Sequence, residues 1–249
     1  MVHYREYPPC PALAPYLACL WTCVVRPAGA PLSHRVLPDN GIDILWQDSA
    51  PFGSVAGMMS SAIAVPFSRP VRTIAVRFKP GAAAHFFRLP LHELADQHPA
   101  LDALWEAGEA RRFADALWST PLADTRALAV LQQLLLQRLR HAGAVQPGLA
   151  DAAVRAIESA RGALRIETLA ESLGVSRQHL ASQFRARVGL PAKQFARVCR
   201  FQHASAAIRA AGQADLATLA LAAGYYDQPH MTHEFRELAG STPQSFARP

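Results

Sequence analysis

The sequence predicts an α+β protein: a β-rich part over residues 1–141 with covering helices, and an all-helical part over residues 151–249. Three observations predict it. Short apolar runs separated by turn formers fill the first eighty residues. A Gly- and Pro-punctuated segment around residues 142–150 follows a long Leu-rich stretch and reads as a linker. Beyond it lies an internal repeat of about fifty residues, written at helical periodicity.

Tyr16–Val25, Leu32–Leu37, Ile42–Trp46, Ala62–Phe67 and Val71–Phe78 read as strands. Pro38-Asp39-Asn40-Gly41 is a turn signal, and Lys79-Pro80-Gly81 closes the last run. Such a succession suggests a small β-barrel or a sandwich. Ala82–Phe87, Pro90–Ala95, Pro99–Trp105 and Glu109–Leu117 read as short helices able to cover an open end of the sheet. Asp124–His141 is a longer helix carrying Leu128, Leu131, Leu135 and Leu139.

The repeat is visible in the residues. Leu169-Ala170 and Gly174 match Leu219-Ala220 and Gly224 at an offset of 50. Leu180 and Phe184 match Met231 and Phe235 at 51, as do Gly189 and Phe195 with Gly240 and Phe246. One residue is therefore inserted just after the turn of the second copy. In each copy a short helix (Ile166–Leu173, Leu216–Ala223) ends at a Gly, and a second helix opens at Ser176 or Asp227, both good N-caps. This is the helix-turn-helix pattern.

The second helices divide into two faces. Leu180, Phe184 and Val188, and in the other copy Met231, Phe235 and Leu238, fall on an inward face. Gln178, Ser182 and Arg185, and Gln228, Thr232, His233 and Arg236, fall outward. Gln can pair with adenine, Arg with guanine, and Ser or Thr with either, so these side chains suit a major groove. Residues 191–210 contain no internal Gly or Pro and read as one connecting helix, about 30 Å long at the rise of an α-helix. Successive major-groove faces lie roughly 34 Å apart. Arg197, Arg200 and Arg209 on this helix are candidate phosphate contacts.

Composition reads as soluble and globular. Hydrophobic residues make up 51% of 249 and charged residues 18%, with a formal charge of +6. Residues 150–249 hold 12 Lys/Arg against 8 Asp/Glu, the first 149 hold 13 against 11, and the helical part is the more basic. No apolar stretch is long enough to span a membrane and the N-terminal residues lack a signal-peptide layout, so the expected location is cytoplasmic. Four cysteines, Cys10, Cys19, Cys23 and Cys199, are too few for a disulfide framework.

Ser176-Arg-Gln-His-Leu-Ala-Ser-Gln-Phe184, Gly189 to Phe201, Ala223-Gly-Tyr-Tyr-Asp-Gln-Pro-His-Met-Thr-His-Glu-Phe235 and Gly240-Ser-Thr-Pro-Gln-Ser-Phe246 resemble the AraC/XylS family of bacterial transcription regulators. The resemblance runs from about Asp151 to Ala247. It implies base-reading positions at Gln178, Ala181 and Ser182 in the first unit, and at Gln228, His230, Thr232 and His233 in the second. Ala181 is shorter than the side chains common at its place, which leaves the first unit the weaker reader. Phosphate candidates are Arg177, Arg185, Arg197, Arg200 and Arg236. Leu37-Pro-Asp-Asn-Gly-Ile-Asp-Ile-Leu45 and Ala75-Val-Arg-Phe-Lys-Pro-Gly-Ala-Ala83 resemble the barrel-like, cupin-like domain attached to many members, where it senses a ligand or dimerises. The implied partners are double-stranded DNA, RNA polymerase, a small-molecule effector and a second copy of the chain, with activation as the expected sign, no cofactor and no membrane.

Other readings compete with this one. Cys10, Cys19 and Cys23 could make a metal- or thiol-redox-sensing regulator, although Cys19 and Cys23 on one strand would stand roughly 13 Å apart. Trp21, Trp46 and Phe78 could line an aromatic effector pocket, or fill a core. His85, His92 and His98 have no short chelating spacing. A helical protein-interaction module that ignores DNA is the alternative of another class. No G-x-S-x-G, phosphate-binding Gly loop, H-E-x-x-H or C-x-x-C occurs, so no enzyme is expected.

Overall fold

The computed structural model describes residues 1–28, 31–119, 123–141, 148–211 and 215–246. Its first strand, β1 (Val2–Tyr7), is one that the sequence does not announce, because it is polar and exposed along most of its length. Pairing creates it: β1 runs antiparallel to β2 (Leu17–Val25) from Val2 opposite Val25 to Tyr7 opposite Leu20. β3 (Leu32–Val36), β4 (Ile42–Gln47), β6 (Ile63–Phe67) and β7 (Val71–Phe78) follow the expected runs, and a three-residue β5 (Ser54–Ala56) is added. The expected small barrel takes the form of a five-stranded antiparallel sheet, ordered β1-β2-β7-β4-β5, and a separate ribbon of β3 with β6.

Strand period two sorts the sheet residues. Ile74, Val76 and Phe78 on β7 lie opposite Trp46, Ile44 and Ile42 on β4, and all six are buried on one face. That face is covered by 3-10 turns at Ala82–His85, Leu91–Leu94 and Leu101–Ala103, and by α1 (Ala107–Trp118) and α2 (Asp124–His141). The three 3-10 turns stand where the sequence reads as short helices. Each is only three or four residues long, the usual length of a 3-10 turn.

The sheet separates the three aromatic residues expected to line an effector pocket. Trp46 stacks on Phe113 at 5.6 Å between ring centroids, and Phe78 packs on Phe86 at 4.9 Å, both within the covered core. Trp21 pairs in register with Ala75 and belongs to a small cluster with Cys19 on the opposite face. An odd number of residues along a strand reverses the face, so Trp21, Trp46 and Phe78 do not share a pocket. Beside Trp21, Asp43 receives both forks of the Arg77 guanidinium at 3.0 Å. Burial nevertheless pushes its carboxyl up to about 6.

Residues 142–147, most of the expected linker, lie outside the described residues. Gly148 donates its N–H to Asp151 at 2.8 Å and opens α3 (Leu149–Ser159). Then come α4 (Ile166–Ser172), α5 (Arg177–Val188), α6 (Ala192–Ala211), α7 (Leu216–Ala222), α8 (Gln228–Ala239) and α9 (Pro243–Phe246). The core beneath the sheet continues without a break into α3, α4, α5 and the start of α6. A second cluster joins the rest of α6 to α7 and α8.

The turn at residues 38–41 does more than reverse the chain. Asn40, left-handed at φ +59°, donates its amide to Phe195 O at 3.0 Å and to Cys199 Sγ at 3.3 Å on α6. Gln202 donates to Pro38 O, Gln194 to Ser60 O at 3.3 Å, and Ala62 N to Leu238 O at 2.7 Å. The β-rich part therefore grips the connecting helix and the C-terminal end of α8.

Candidate nucleic-acid interface

The repeat seen in the sequence extends to individual hydrogen bonds. After α4, Gly174 N donates to Glu171 O and Val175 N to Ala170 O. After α7, Gly224 N donates to Leu221 O and Tyr225 N to Ala220 O, each residue displaced by 50. Both glycines are left-handed, at φ +66° and +83°, which a side chain resists. Ser176 Oγ accepts from His179 N at 3.2 Å and Asp227 Oδ1 from His230 N at 2.8 Å, so the second helix of each unit starts at its expected cap. Both second helices end at positive-φ glycines, Gly189 and Gly240, displaced by 51.

Packing repeats as well. Leu180, Phe184 and Val188 are buried on α5, as are Met231, Phe235 and Leu238 on α8. Phe184 meets Phe195 edge-on at 5.4 Å, and Phe235 meets Phe246 edge-on at 5.3 Å. The same aromatic pair thus ties each second helix to the segment after it, and fixes which face remains outside.

That outer face holds Arg177, Gln178, Ala181, Ser182 and Arg185 on α5, all exposed. On α8, His230, His233 and Arg236 are exposed, while Gln228 and Thr232 are half-buried. His230 is also engaged locally: its Nδ1 accepts from Tyr226 N at 3.3 Å, and Tyr225 packs edge-on against its ring. His233 lies 3.4 Å from Glu237.

The units differ beneath the second helix. Glu234 on α8 is 2% exposed. It accepts from Arg197 Nε at 3.0 Å and from Arg200 Nε and Nη2 at 3.2 and 2.8 Å, while Arg197 also pairs with Glu237. Arg200 further lies over the Tyr225 ring at 4.7 Å. Both arginines, which the sequence offers as phosphate contacts, pair with this buried carboxylate. The corresponding place in the first unit is Gln183, which is exposed. Glu234 falls three residues after inward-facing Met231, so its burial was legible in the spacing, but a carboxylate there reads as a surface residue until its partners are known.

Three of the four thiols are held in the protonated form by burial. Burial pushes Cys19 and Cys199 up to about 11 and raises Cys23, which disfavours the reactive thiolate. Cys10 lies apart, its backbone N–H donating to Gln132 of α2. Among the described residues no group of three or more His, Cys, Asp or Glu could hold a metal, and no helix is long and apolar enough to cross a membrane.

Residues 169–249 match the family model of a helix-turn-helix domain, and residues 5–100 match that of a domain of unknown function, DUF6597. No curated protein matches. Among solved structures, the chain is similar to the C-terminal domain of AraT, a response regulator from Geobacillus stearothermophilus. The two are 20% identical over 42% of this chain and 88% of that one, with a TM-score of 0.39. It is also similar to ToxT from Vibrio cholerae, at 8% identity over 88% of this chain and 97% of that one, with a TM-score of 0.48. A ToxT structure with bound unsaturated fatty acid matches at 9% identity over 88% and 94%, with a TM-score of 0.46.

Proposed function

We propose that this chain is a DNA-binding transcription regulator, as its helix-turn-helix match and its resemblance to the AraC/XylS family support, and that it reads a two-part site, with α5 and α8 entering successive major grooves on one side of the duplex. The observation that carries the reading is the duplicated unit: equal turns, equal caps and equal aromatic anchors hold two polar helix faces outward, joined by a twenty-residue α6. Such a helix is about 30 Å long, against roughly 34 Å between groove faces.

Gln178, Ala181 and Ser182 read bases in the first groove, and Gln228, His230, Thr232 and His233 in the second. Arg177, Arg185 and Arg236, exposed beside them, hold phosphates. Arg197 and Arg200 are left out of the contact set because Glu234 engages them. Residues 1–141 form the regulatory part, 142–150 the linker and 151–249 the DNA-binding part. Activation through RNA polymerase, response to a small-molecule effector and homodimerisation are the modes that the family resemblance supports.

The test starts from duplexes selected out of a random pool. Anisotropy titration then compares wild type with Q228A/T232A. Losing one bidentate base contact costs about 1–3 kcal/mol, so affinity for the selected site falls by about five- to 150-fold while random duplex is nearly unaffected. Equal loss on both duplexes refutes base reading by α8.

A further inference from the structure

The register between the two helix-turn-helix units changes at one place, just after the turn of the second. Val175 and Tyr225 donate their N–H groups to Ala170 O and Ala220 O at an offset of 50, while the N-caps Ser176 and Asp227 stand at 51. Tyr226 is therefore the inserted residue, with no counterpart in the first unit.

The two tyrosines at the insertion point opposite ways. Tyr225 is 3% exposed, its ring covered by Arg200 and edge-on to His230. Tyr226 is 85% exposed, more than any other large hydrophobic side chain among the described residues. Among those residues its phenol has no hydrogen-bond partner. Its backbone is nonetheless held. Tyr226 N donates to His230 Nδ1 at 3.3 Å, and the neighbouring Asp227 carboxylate is occupied in capping α8, accepting from His230 N at 2.8 Å. A rigid side chain with an apolar body and a polar tip thus emerges from a fixed point and meets only solvent.

Its place decides which surface it suits. Gln228, Thr232 and His233 follow one another along the outer side of α8, the side assigned to base edges. Tyr226 comes two residues before Gln228 and ahead of the N-cap, so it stands off that face, where the wall of the groove rises. Groove walls are sugar and phosphate, and tyrosine hydroxyls are among the groups that donate to phosphate oxygens.

We propose that Tyr226 is a further DNA contact of the second unit, its phenol donating to a backbone phosphate at the edge of the groove that α8 enters. This assignment rests on the DNA-binding reading. The bond runs from a neutral donor to an anionic oxygen and is strengthened by that charge. Because the phenol is uncharged, it displaces no counterion, which separates it from the arginine contacts. It also gives the second unit a hold on the backbone that the first lacks.

The test is Tyr226→Phe in the full chain, titrated by anisotropy against a selected and a random duplex over a salt series. Y226F removes one oxygen from an exposed ring, so its melting temperature matches wild type. It binds both duplexes about tenfold more weakly, with the wild-type salt slope. Duplexes carrying a single neutral methylphosphonate at successive positions then locate the phosphate. At one position wild type weakens about threefold or more while Y226F is unaffected. Unchanged affinity of Y226F for both duplexes overturns the contact. So does a loss confined to the selected duplex, which would put Tyr226 on a base, a loss accompanied by a flatter salt slope, or a lowered melting temperature. A scan in which wild type and Y226F weaken alike at every position overturns it too. A wild type that binds no duplex removes the DNA-binding reading and this contact with it, whereas a wild type that binds, with Y226F its equal, removes this contact alone.

Discussion

Replacing Glu234 by alanine takes away the carboxylate of α8 that Arg197 and Arg200 share and leaves two guanidinium groups of α6 side by side without it. Three hydrogen bonds are lost, at 3.0, 3.2 and 2.8 Å. Bonds to charged groups contribute about 1.5–3 kcal/mol each when buried, and breaking a fully buried ion pair costs about 3–5 kcal/mol. The arginine side chains keep 26% and 15% of their exposure, so water can recover part of the loss. Arg197 also retains Glu237. We expect about 2–3 kcal/mol for E234A, and about 1 kcal/mol for E234Q, which keeps an acceptor of the same shape. At about 2–4 °C per kcal/mol for a chain of this size, E234A lowers Tm by about 4–12 °C. Guanidinium denaturation of E234A, R200A and the double variant completes the measurement. A coupling energy of about 1 kcal/mol or more is expected between the two sites. Additive single effects, or a loss below about 0.5 kcal/mol for E234A, a typical surface value, would refute the assignment of this carboxylate to the seam between α6 and α8.

The two turn glycines should respond unequally to alanine. Gly174, at φ +66° with open space around its Cβ direction, loses about 1 kcal/mol. Gly224 adds a clash at 2.7 Å with Ala163 Cβ and loses distinctly more, as chemical denaturation of G174A and G224A will show. For the thiols, Cys19 and Cys199 hold their protons in the folded chain up to about pH 11, against 9.0 for an ordinary exposed thiol. The folded state therefore binds more protons between those values, and the stability from these two groups falls as pH rises through that window. Alkylation by iodoacetamide should be slow at neutral pH and accelerate toward pH 11, and fast neutral labelling of Cys19 would contradict this. On DNA, R177A, R185A and R236A should each weaken selected and random duplexes alike and reduce the salt slope by about 1.

The repeat was fully legible in the sequence because everything that makes it is local. Left-handed glycines, caps at Ser176 and Asp227, and apolar residues three and four apart act within one turn of chain. Strands whose apolar residues face a core were equally visible, as Val71–Phe78 shows. β1 was not, because a polar edge strand has no pattern of its own and exists through its partner.

Sequence by itself thus determined the α+β division, the duplicated helix-turn-helix unit and the outward faces of its second helices. Tertiary structure decided what depends on groups far apart in the chain. It put Trp21 on one face of the sheet and Trp46 with Phe78 on the other. It paired Arg197 and Arg200 with Glu234, 37 and 34 residues away. It set the Asn40 turn against α6, more than 150 residues distant. Helical and strand periodicities record which side of an element is buried, but a charged or polar side chain acquires its role from whatever the fold brings opposite it.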